Sequence, residues 1–263
     1  MNIIGRRKIW YLISLILIVP GILAIIFWGI PTGLDFRGGT LLDISYSQGV
    51  AKEKIEAAIN NSGIKNANIQ PSGNDFIIRA PVLDSETQKK LTDSLAKAGE
   101  GYKQNRLETV GPTVSADLKQ KAIIAVILAS MAIIIYIAIA FRRVPRPASS
   151  WRFGVCAVLA LIHDLAFVVG VFAILGHFLG YEIDSLFITA LLTIMGFSVH
   201  DTIVVFDRIR ENLRQSPSLA FETNVNNSIL QTLNRSLNTS FTVLLVLLAL
   251  YLLGGQTLKH FML

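Results

Sequence analysis

Five long apolar runs, separated by polar segments, dominate the pattern of this chain. They cover residues 9–30, 122–141, 153–175, 185–206 and 237–253. A helix needs about 20 predominantly apolar residues to cross the hydrocarbon core of a bilayer, so the pattern predicts five transmembrane helices. The first run follows a basic segment, as in a signal peptide. It is too long for that assignment and no small-residue cleavage site follows it, so we predict that it is retained.

The polar segment between the first two runs alternates between strand and helix patterns. Residues 40–46 alternate apolar and polar positions, and residues 50–63 have helical spacing. Two strands joined by a turn follow at 67–81, then a capped helix at 84–101 and a strand at 103–111. This order is that of the split βαβ, ferredoxin-like fold. The fold class predicted is a polytopic α-helical membrane protein with an exported α+β ferredoxin-like domain.

These patterns divide the chain into three regions. Residues 1–30 contain the N-terminus and the first span, and residues 31–120 form the ferredoxin-like domain. Residues 121–263 contain the second to fifth spans. Within them, the connector 207–236 is amphipathic enough that we predict it to lie along the membrane interface.

Composition and charge placement agree with a membrane protein. The chain of 263 residues is 52% hydrophobic and 16% charged, with a mean hydropathy of +0.54; soluble domains are about 25% charged. The sequence pI of about 9.5 could indicate a nucleic-acid partner, but residues 31–120 carry as many acidic as basic side chains. The excess lies in three short segments: Arg6, Arg7 and Lys8; Arg142, Arg143, Arg146 and Arg152; Arg208, Arg210, Arg214 and Arg235. Their alternation follows the positive-inside rule, which predicts a cytoplasmic N-terminus and an exported 31–120 segment, and no nucleic-acid binding.

Two aspartates lie inside apolar runs, Asp164 in the third and Asp201 in the fourth. A charged side chain at the bilayer centre costs at least about 2.5 kcal/mol, so such residues usually carry protons or ions, or pair with a cation. Arg235 enters the fifth run on a polar stripe of helical spacing, formed by Gln231, Arg235, Asn238 and Thr242. Three helices could therefore present Asp164, Asp201 and Arg235 to a common interior as a proton relay. The alternative is a static buried ion pair that fixes helix packing.

Each of these aspartates follows a histidine, His163 and His200. Adjacent helix residues project about 100° apart, so a His/Asp pair cannot face one partner surface. We therefore predict that His200 and His163 are hydrogen-bonded packing residues. Cys156 is the only cysteine, which excludes an internal disulfide and a cysteine metal cluster. We expect no metal site, no cofactor and no enzymatic activity.

Two short polar motifs flank the spans. Asp207-Arg-Ile-Arg-Glu-Asn212 follows the fourth run, and its spacing allows local pairs of Asp207 with Arg210 and of Arg208 with Glu211 or Asn212. The second motif, which follows the first run, contains Gly33, Asp35, Phe36, Arg37, Gly38 and Gly39. It has no P-loop lysine, and we predict that it opens no helix, so it is interpreted as a tight junction and not as a nucleotide site.

Four segments in order resemble the SecF family of protein translocase subunits, within the resistance-nodulation-division superfamily. They are GLDFRGGT, VGPTVSADL, GFSVHDTIVVFDRIREN, and SILQTLNRSLNTSFT followed by LLALYLLGG. The resemblance covers nearly the whole chain. It implies a partnership with SecD, assistance to the SecYEG channel, and use of the proton motive force to move an exported unfolded polypeptide. It also implies a multi-pass protein of the bacterial inner membrane, in contact with the lipid bilayer.

Carried onto this chain, the resemblance implies that Asp201 is the proton-path carboxylate and Arg235 its cationic partner. Asp164 matches an aspartate of the third span, and we expect it on the proton path. The family usually has asparagine where this chain has His200. The family also has six spans and this sequence contains five, so we expect either that the sequence is a piece of a longer chain or that the sixth helix is lost.

Three other functions remain open on sequence grounds. A proton-coupled exporter of small molecules or lipids from the same superfamily would normally carry larger exported domains than this one. A purely structural subunit would use the buried charges only for packing. An intramembrane aspartyl protease would carry a Gly-x-Gly-Asp signature, whereas this chain has Gly196-Phe-Ser-Val-His-Asp201.

Overall fold

The computed structural model describes residues 2–72, 75–142, 145 and 148–253. The basic residues Arg143 and Arg146, the centre of the turn at 73–74 and the segment 254–263 lie outside the described residues. The chain divides into two compact units. One contains Met1–Pro31 and Ile123–Leu263, and the other contains Thr32–Ala122.

The smaller unit is built on a four-stranded sheet. Its elements are α2 (Leu34–Arg37), β1 (Gly39–Ser45), α3 (Lys52–Asn61), β2 (Asn68–Ser72), β3 (Asp75–Ala80), α4 (Ser85–Ala98) and β4 (Lys103–Val110). The strand order is β2-β3-β1-β4 and every neighbouring pair is antiparallel. This topology confirms the predicted α+β ferredoxin-like domain.

The core of this unit follows from the period of two along the strands. Leu42 and Ile44 of β1 and Ile78 of β3 point to one face and are almost fully buried. They pack against Ile55 of α3 and Leu95 of α4, among other apolar residues. Both helices therefore cover the same face of the sheet, because alternate strand residues share a face.

The junction before β1 contains one more helical turn than predicted. α2 follows Gly33 directly, so the expectation that this motif opens no helix is wrong. The turn ends at Gly38 and Gly39, whose φ angles are +72° and +127°. A Cβ on Gly39 would lie 2.6 Å from the carbonyl oxygen of Ala80 on β3. Glycine is required there because the chain turns into β1 at a backbone conformation that other residues rarely adopt.

The larger unit contains the long helices. They are α1 (Arg7–Trp28), α5 (Pro112–Ala140, whose first turns belong to the smaller unit), α6 (Ser150–Leu179), α7 (Ser185–Gln215) and α8 (Phe221–Leu253). All five are long and apolar enough to cross a membrane, which confirms the five predicted spans.

The predicted connector 207–236 is not one separate segment, because most of it belongs to the two flanking helices. α7 continues to Gln215 and α8 begins at Phe221. α8 has 33 residues, about 50 Å at 1.5 Å per residue, against a hydrocarbon core of about 30 Å. The apolar run at 237–253 underestimated the length of α8. The first half of the helix carries polar residues on one side, so it lies outside the apolar run although it is helical.

α1 and α6 approach each other closely at a pair of glycines. A Cβ on Gly21 would lie 2.8 Å from Gly170 Cα, and a Cβ on Gly170 would lie 2.7 Å from Gly21 Cα. Ala24 and Ala173, one turn further along each helix, are also buried. Small residues permit such close packing in membranes, where dispersion contacts replace the hydrophobic effect between helices.

The chain's N-terminal residues bond to the beginning of α8. Asn226 Oδ1 accepts hydrogen bonds from the backbone N–H groups of Ile3, at 2.8 Å, and Ile4, at 3.3 Å. Arg7 also pairs with Glu222 at 2.9 Å. These contacts join the residues just before α1, and its first residue Arg7, to the first turns of α8.

Candidate functional site

Asp164 on α6 lies at the centre of a polar cluster between apolar helices. Its Oδ2 accepts a short hydrogen bond from Ser198 Oγ on α7. Its Oδ1 lies 2.8 Å from Nδ1 of His163. Both carboxylate oxygens therefore have partners, as a carboxylate in an apolar region requires.

His163 contacts a different helix from Asp164. Its Nε2 lies 2.5 Å from Ser14 Oγ on α1, whereas Asp164 contacts α7. The contacts confirm that neighbouring His and Asp side chains face different partners, although these two also bond to each other. The side chains of His163 and Asp164 remain 44% and 38% exposed within this chain. Sequence reasoning missed Ser14 and Ser198, because a serine in an apolar run gives no signal of its partner.

Asp201 lies three residues after Ser198 on α7, at a neighbouring position of the same helix. Its Oδ1 accepts a hydrogen bond of 3.3 Å from Ser236 Oγ on α8. In the described part of the chain, Asp201 bonds to the residue after Arg235 and forms no ion pair with Arg235 itself. The physical reason is the 100° step between adjacent residues of α8, which turns Arg235 away when Ser236 faces Asp201. Ser236 was not identified from the sequence.

Arg235 instead lines a cavity of about 550 Å³ between α5, α7 and α8. The lining residues that carry charge are Asp207, Arg208, Arg210, Glu211 and Arg235. Both acidic residues are already engaged by other arginines, so the cavity has an excess of positive charge. The Arg235 guanidinium has no hydrogen bond or ion pair to any residue that the structure describes, so it is available to an ionised carboxylate that approaches this space.

The charged motif after the fourth span joins three helices. Asp207 forms a short ion pair with Arg210, and Arg208 pairs with Glu211 at 2.6 Å; both local pairs are as predicted. Arg210 also donates a hydrogen bond of 3.1 Å to the carbonyl oxygen of Ala140 at the end of α5. This contact satisfies a free helix carbonyl and places a cation where the helix dipole favours one.

The same motif holds α7 to α8. Arg208 Nε donates a hydrogen bond of 2.7 Å to Gln231 Oε1, which also accepts from Asn212 at 2.8 Å. Asn212 contacts Ser228 Oγ at 2.8 Å. The beginning of the predicted polar stripe, at Gln231, therefore faces α7.

The rest of the polar stripe is not covered by other described helices of this chain. Arg235, Asn238 and Thr242 are all exposed within this chain. Polar groups that face lipid are unfavourable unless protein or water covers them. This surface of α8 is therefore suited to a neighbouring subunit.

The prediction for His200 is wrong. Its side chain is exposed and has no hydrogen bond to any residue that the structure describes. Among the described residues there is no group of three or more His, Cys, Asp or Glu side chains that could hold a metal ion. Cys156 is exposed on α6 as a free thiol.

Comparisons with known proteins give one consistent result. The family described as "Protein export membrane protein SecD/SecF, C-terminal" matches residues 90–263. The protein translocase subunit SecF of Thermobaculum terrenum is 44% identical over 100% of this chain and 86% of its own length. That of Pseudomonas aeruginosa is 34% identical over 99% of this chain and 83% of its own length.

Solved structures agree with these relatives. The crystal structure of SecDF from Thermus thermophilus superimposes with a TM-score of 0.82 at 34% identity and covers 100% of this chain. A second SecDF structure, in a super-membrane-facing form, gives a TM-score of 0.68 at 33% identity. This chain spans 35% of each SecDF chain. With five apolar helices, a ferredoxin-like unit and relatives of this identity along its whole length, the chain is a multi-pass inner-membrane protein that belongs to the SecD/SecF family of protein-export membrane proteins.

Proposed function

We propose that this chain is the SecF-type accessory subunit of the Sec export machinery and that, with SecD, it uses the proton motive force to promote polypeptide translocation. Asp201 is the proton carrier, Arg235 is the cation that attracts its ionised form, and Asp164 is a second carboxylate of the proton path. The observation that carries the proposal is that Arg235 lines a cavity, forms no ion pair with any described residue, and lies one residue from Ser236, the partner of Asp201.

The separation of the two charges favours a relay over a static ion pair. A fixed Asp201–Arg235 bridge would hold α7 and α8 together and leave no carboxylate to bind a proton. Among the described residues, Asp201 accepts one hydrogen bond, of 3.3 Å, from Ser236. When Asp201 is ionised, its attraction to Arg235 rotates α8 so that Arg235 turns towards Asp201. When Asp201 is protonated, that attraction disappears. Proton binding thereby becomes movement of α8 against α7.

The distribution of basic residues supports the orientation of the chain in the membrane, and the exposed polar stripe of α8 supports its partner. The N-terminus and the motif Asp207–Asn212 lie on the cytoplasmic side, where the basic residues concentrate, and the ferredoxin-like unit is exported. SecD covers the exposed polar stripe of α8. The export channel SecYEG and the unfolded polypeptide are the further partners, and the subunit does no covalent chemistry of its own.

Asp201→Asn tests this function. We expect the variant to assemble with SecD and to lose the stimulation of export by an imposed proton gradient in reconstituted vesicles, because an amide cannot carry the proton. His200→Asn is the matched control: it changes the adjacent residue, which has no hydrogen bond among the described residues, and should retain full stimulation. Undiminished stimulation in Asp201→Asn would rule out the relay.

A further inference from the structure

Three hydrogen bonds connect three helices through His163 and Asp164. Ser14 of α1 contacts His163, His163 contacts Asp164, and Asp164 accepts from Ser198 of α7. These residues lie within predicted spans. No hydrogen bond among the described residues joins this network to Asp201, whose partner is Ser236 on α8. The two carboxylates therefore belong to separate hydrogen-bond networks that share only α7: one joins it to α6 and α1, the other to α8.

The network can bind one proton and keep all three contacts. With Asp164 ionised and His163 neutral, the Nδ1–H group donates to Oδ1 and Nε2 accepts from the Ser14 hydroxyl; the net charge is −1. A proton that a hydronium ion delivers to Nε2, leaving a water molecule, makes His163 an imidazolium. Nε2–H then donates to Ser14 Oγ, and the serine hydrogen turns to a carbonyl of the preceding turn of α1. The net charge becomes zero.

The loss of net charge and the new N–H donor to Ser14 both affect stability in an apolar region. The neutral form has a lower desolvation cost than the charged one. The contact to Ser14 also becomes charge-assisted, and such hydrogen bonds are roughly twice as strong as neutral ones. Proton binding therefore tightens α1 against α6.

We propose that His163 and Asp164, with Ser14 and Ser198, form a second proton-binding site whose occupancy sets how tightly α1 is held to α6 and α7. This inference rests on the proposed use of the proton gradient and adds a second point of coupling. α1 is the helix that leads, through Pro31, into the ferredoxin-like unit. The site thus couples a proton to the span that carries the exported unit.

In the part of the chain that the structure describes, few other titratable groups lie near this network. On α1 the nearest along the helix is Tyr11, which is exposed. On α7 the nearest are His200 and Asp201. No described hydrogen bond joins any of these three to His163 or Asp164.

The atoms Ser14 Oγ, His163 and Asp164 follow the order of a hydrolase triad. A hydrolase also needs backbone or side-chain donors aimed at a developing oxyanion. Ser14 lies inside α1, where backbone N–H groups are already bonded to carbonyls of the preceding turn. The arrangement therefore holds a proton and does not activate a nucleophile.

The direct test is nitrogen NMR of histidine-labelled chain, in complex with SecD in bilayers, with the His163 signal assigned by its loss in His163→Gln. We expect the His163 ring to change from one to two protonated nitrogens as pH falls through the working range of the complex. A ring with one proton throughout that range would overturn the proposal. Asp201→Asn should leave this change intact, so the result stands or falls separately from the proposed function of Asp201.

A functional test separates proton binding from packing. Ser14→Ala should keep the ring protonation change but reduce gradient-stimulated export about fivefold, the factor that corresponds to one net hydrogen bond of about 1 kcal/mol. His163→Gln should alter the pH profile of stimulated export, whereas His200→Asn should not. Identical profiles for the two histidine variants and the parent would contradict the coupling, as would covalent labelling of Ser14 by a fluorophosphonate.

Discussion

The glycine contact between α1 and α6 gives a prediction whose size follows from the structure. In Gly170→Ala the new Cβ would lie 2.7 Å from Gly21 Cα, whereas carbon atoms pack at about 3.5–4.0 Å. The helices must therefore separate by about 1 Å, and overpacking of this kind costs about 1–3 kcal/mol. A shift of about 1 Å would also lengthen the contact between Ser14 and His163 beyond hydrogen-bonding distance.

A matched control isolates this contact from helix propensity. Gly154 lies on the same helix α6, and a Cβ there would meet nothing within 4 Å. Gly154→Ala and Gly170→Ala share the gain that alanine brings over glycine in a helix, about 0.5–1 kcal/mol. We therefore expect the free energy of unfolding of Gly170→Ala to lie about 1–3 kcal/mol below that of Gly154→Ala.

The assay is equilibrium unfolding of the full chain in mixed micelles of dodecylmaltoside and SDS, followed by far-UV circular dichroism. Gly21→Ala should show the same loss as Gly170→Ala, because the two glycines contact each other. Equal stability of all three variants would show that α1 and α6 adapt without cost. The reasoning from close packing would then be refuted.

Two further predictions concern the ferredoxin-like unit. Burial raises the pKa of Tyr46 to about 12, so the unfolded chain ionises first and stability falls as pH rises from about 10 to about 12. The Tyr46 hydroxyl donates a hydrogen bond of 2.8 Å to the carbonyl oxygen of Leu95. Tyr46→Phe removes this bond, so it should lose about 1 kcal/mol of stability at neutral pH and show less of the alkaline loss, both measured by near-UV circular dichroism. An alkaline loss unchanged in Tyr46→Phe would assign it to other groups. Gly39→Ala should lower the melting temperature more than Gly63→Ala, because both have positive φ but only Gly39 would place its Cβ 2.6 Å from a backbone oxygen; equal melting temperatures would contradict this.

Helices and strands could be predicted from the sequence where a single physical requirement, such as apolar length or residue period, determines them. Apolar length alone identified all five spans, and the periods of two and 3.6 identified the ferredoxin-like order of strands and helices. The bounds of α8 were not predictable from hydropathy, because residues 221–236 form a polar continuation of the same helix. A helix that leaves the apolar region has no hydropathy signal at that point.

The charged residues of the site could be predicted from the sequence, but their hydrogen-bond partners on neighbouring helices could not. The cost of burial identified Asp164 and Asp201, and spacing along α8 identified the face with Arg235. Which residue on a neighbouring helix each carboxylate meets depends on the rotation of both helices about their axes. That rotation is set by packing, such as the contact of Gly21 with Gly170. The partners Ser14, Ser198 and Ser236 therefore appeared only in the structure.

The bond between the chain's beginning and α8 has a consequence for biosynthesis. Asn226 accepts from the amides of Ile3 and Ile4, across 223 and 222 positions of sequence. The ribosome makes α1 first, yet these donors must stay with water or lipid headgroups until α8 has been made and inserted. α8 thus supplies the acceptor for the backbone just before α1, and a nascent chain stopped before Asn226 would leave these two amides without that acceptor.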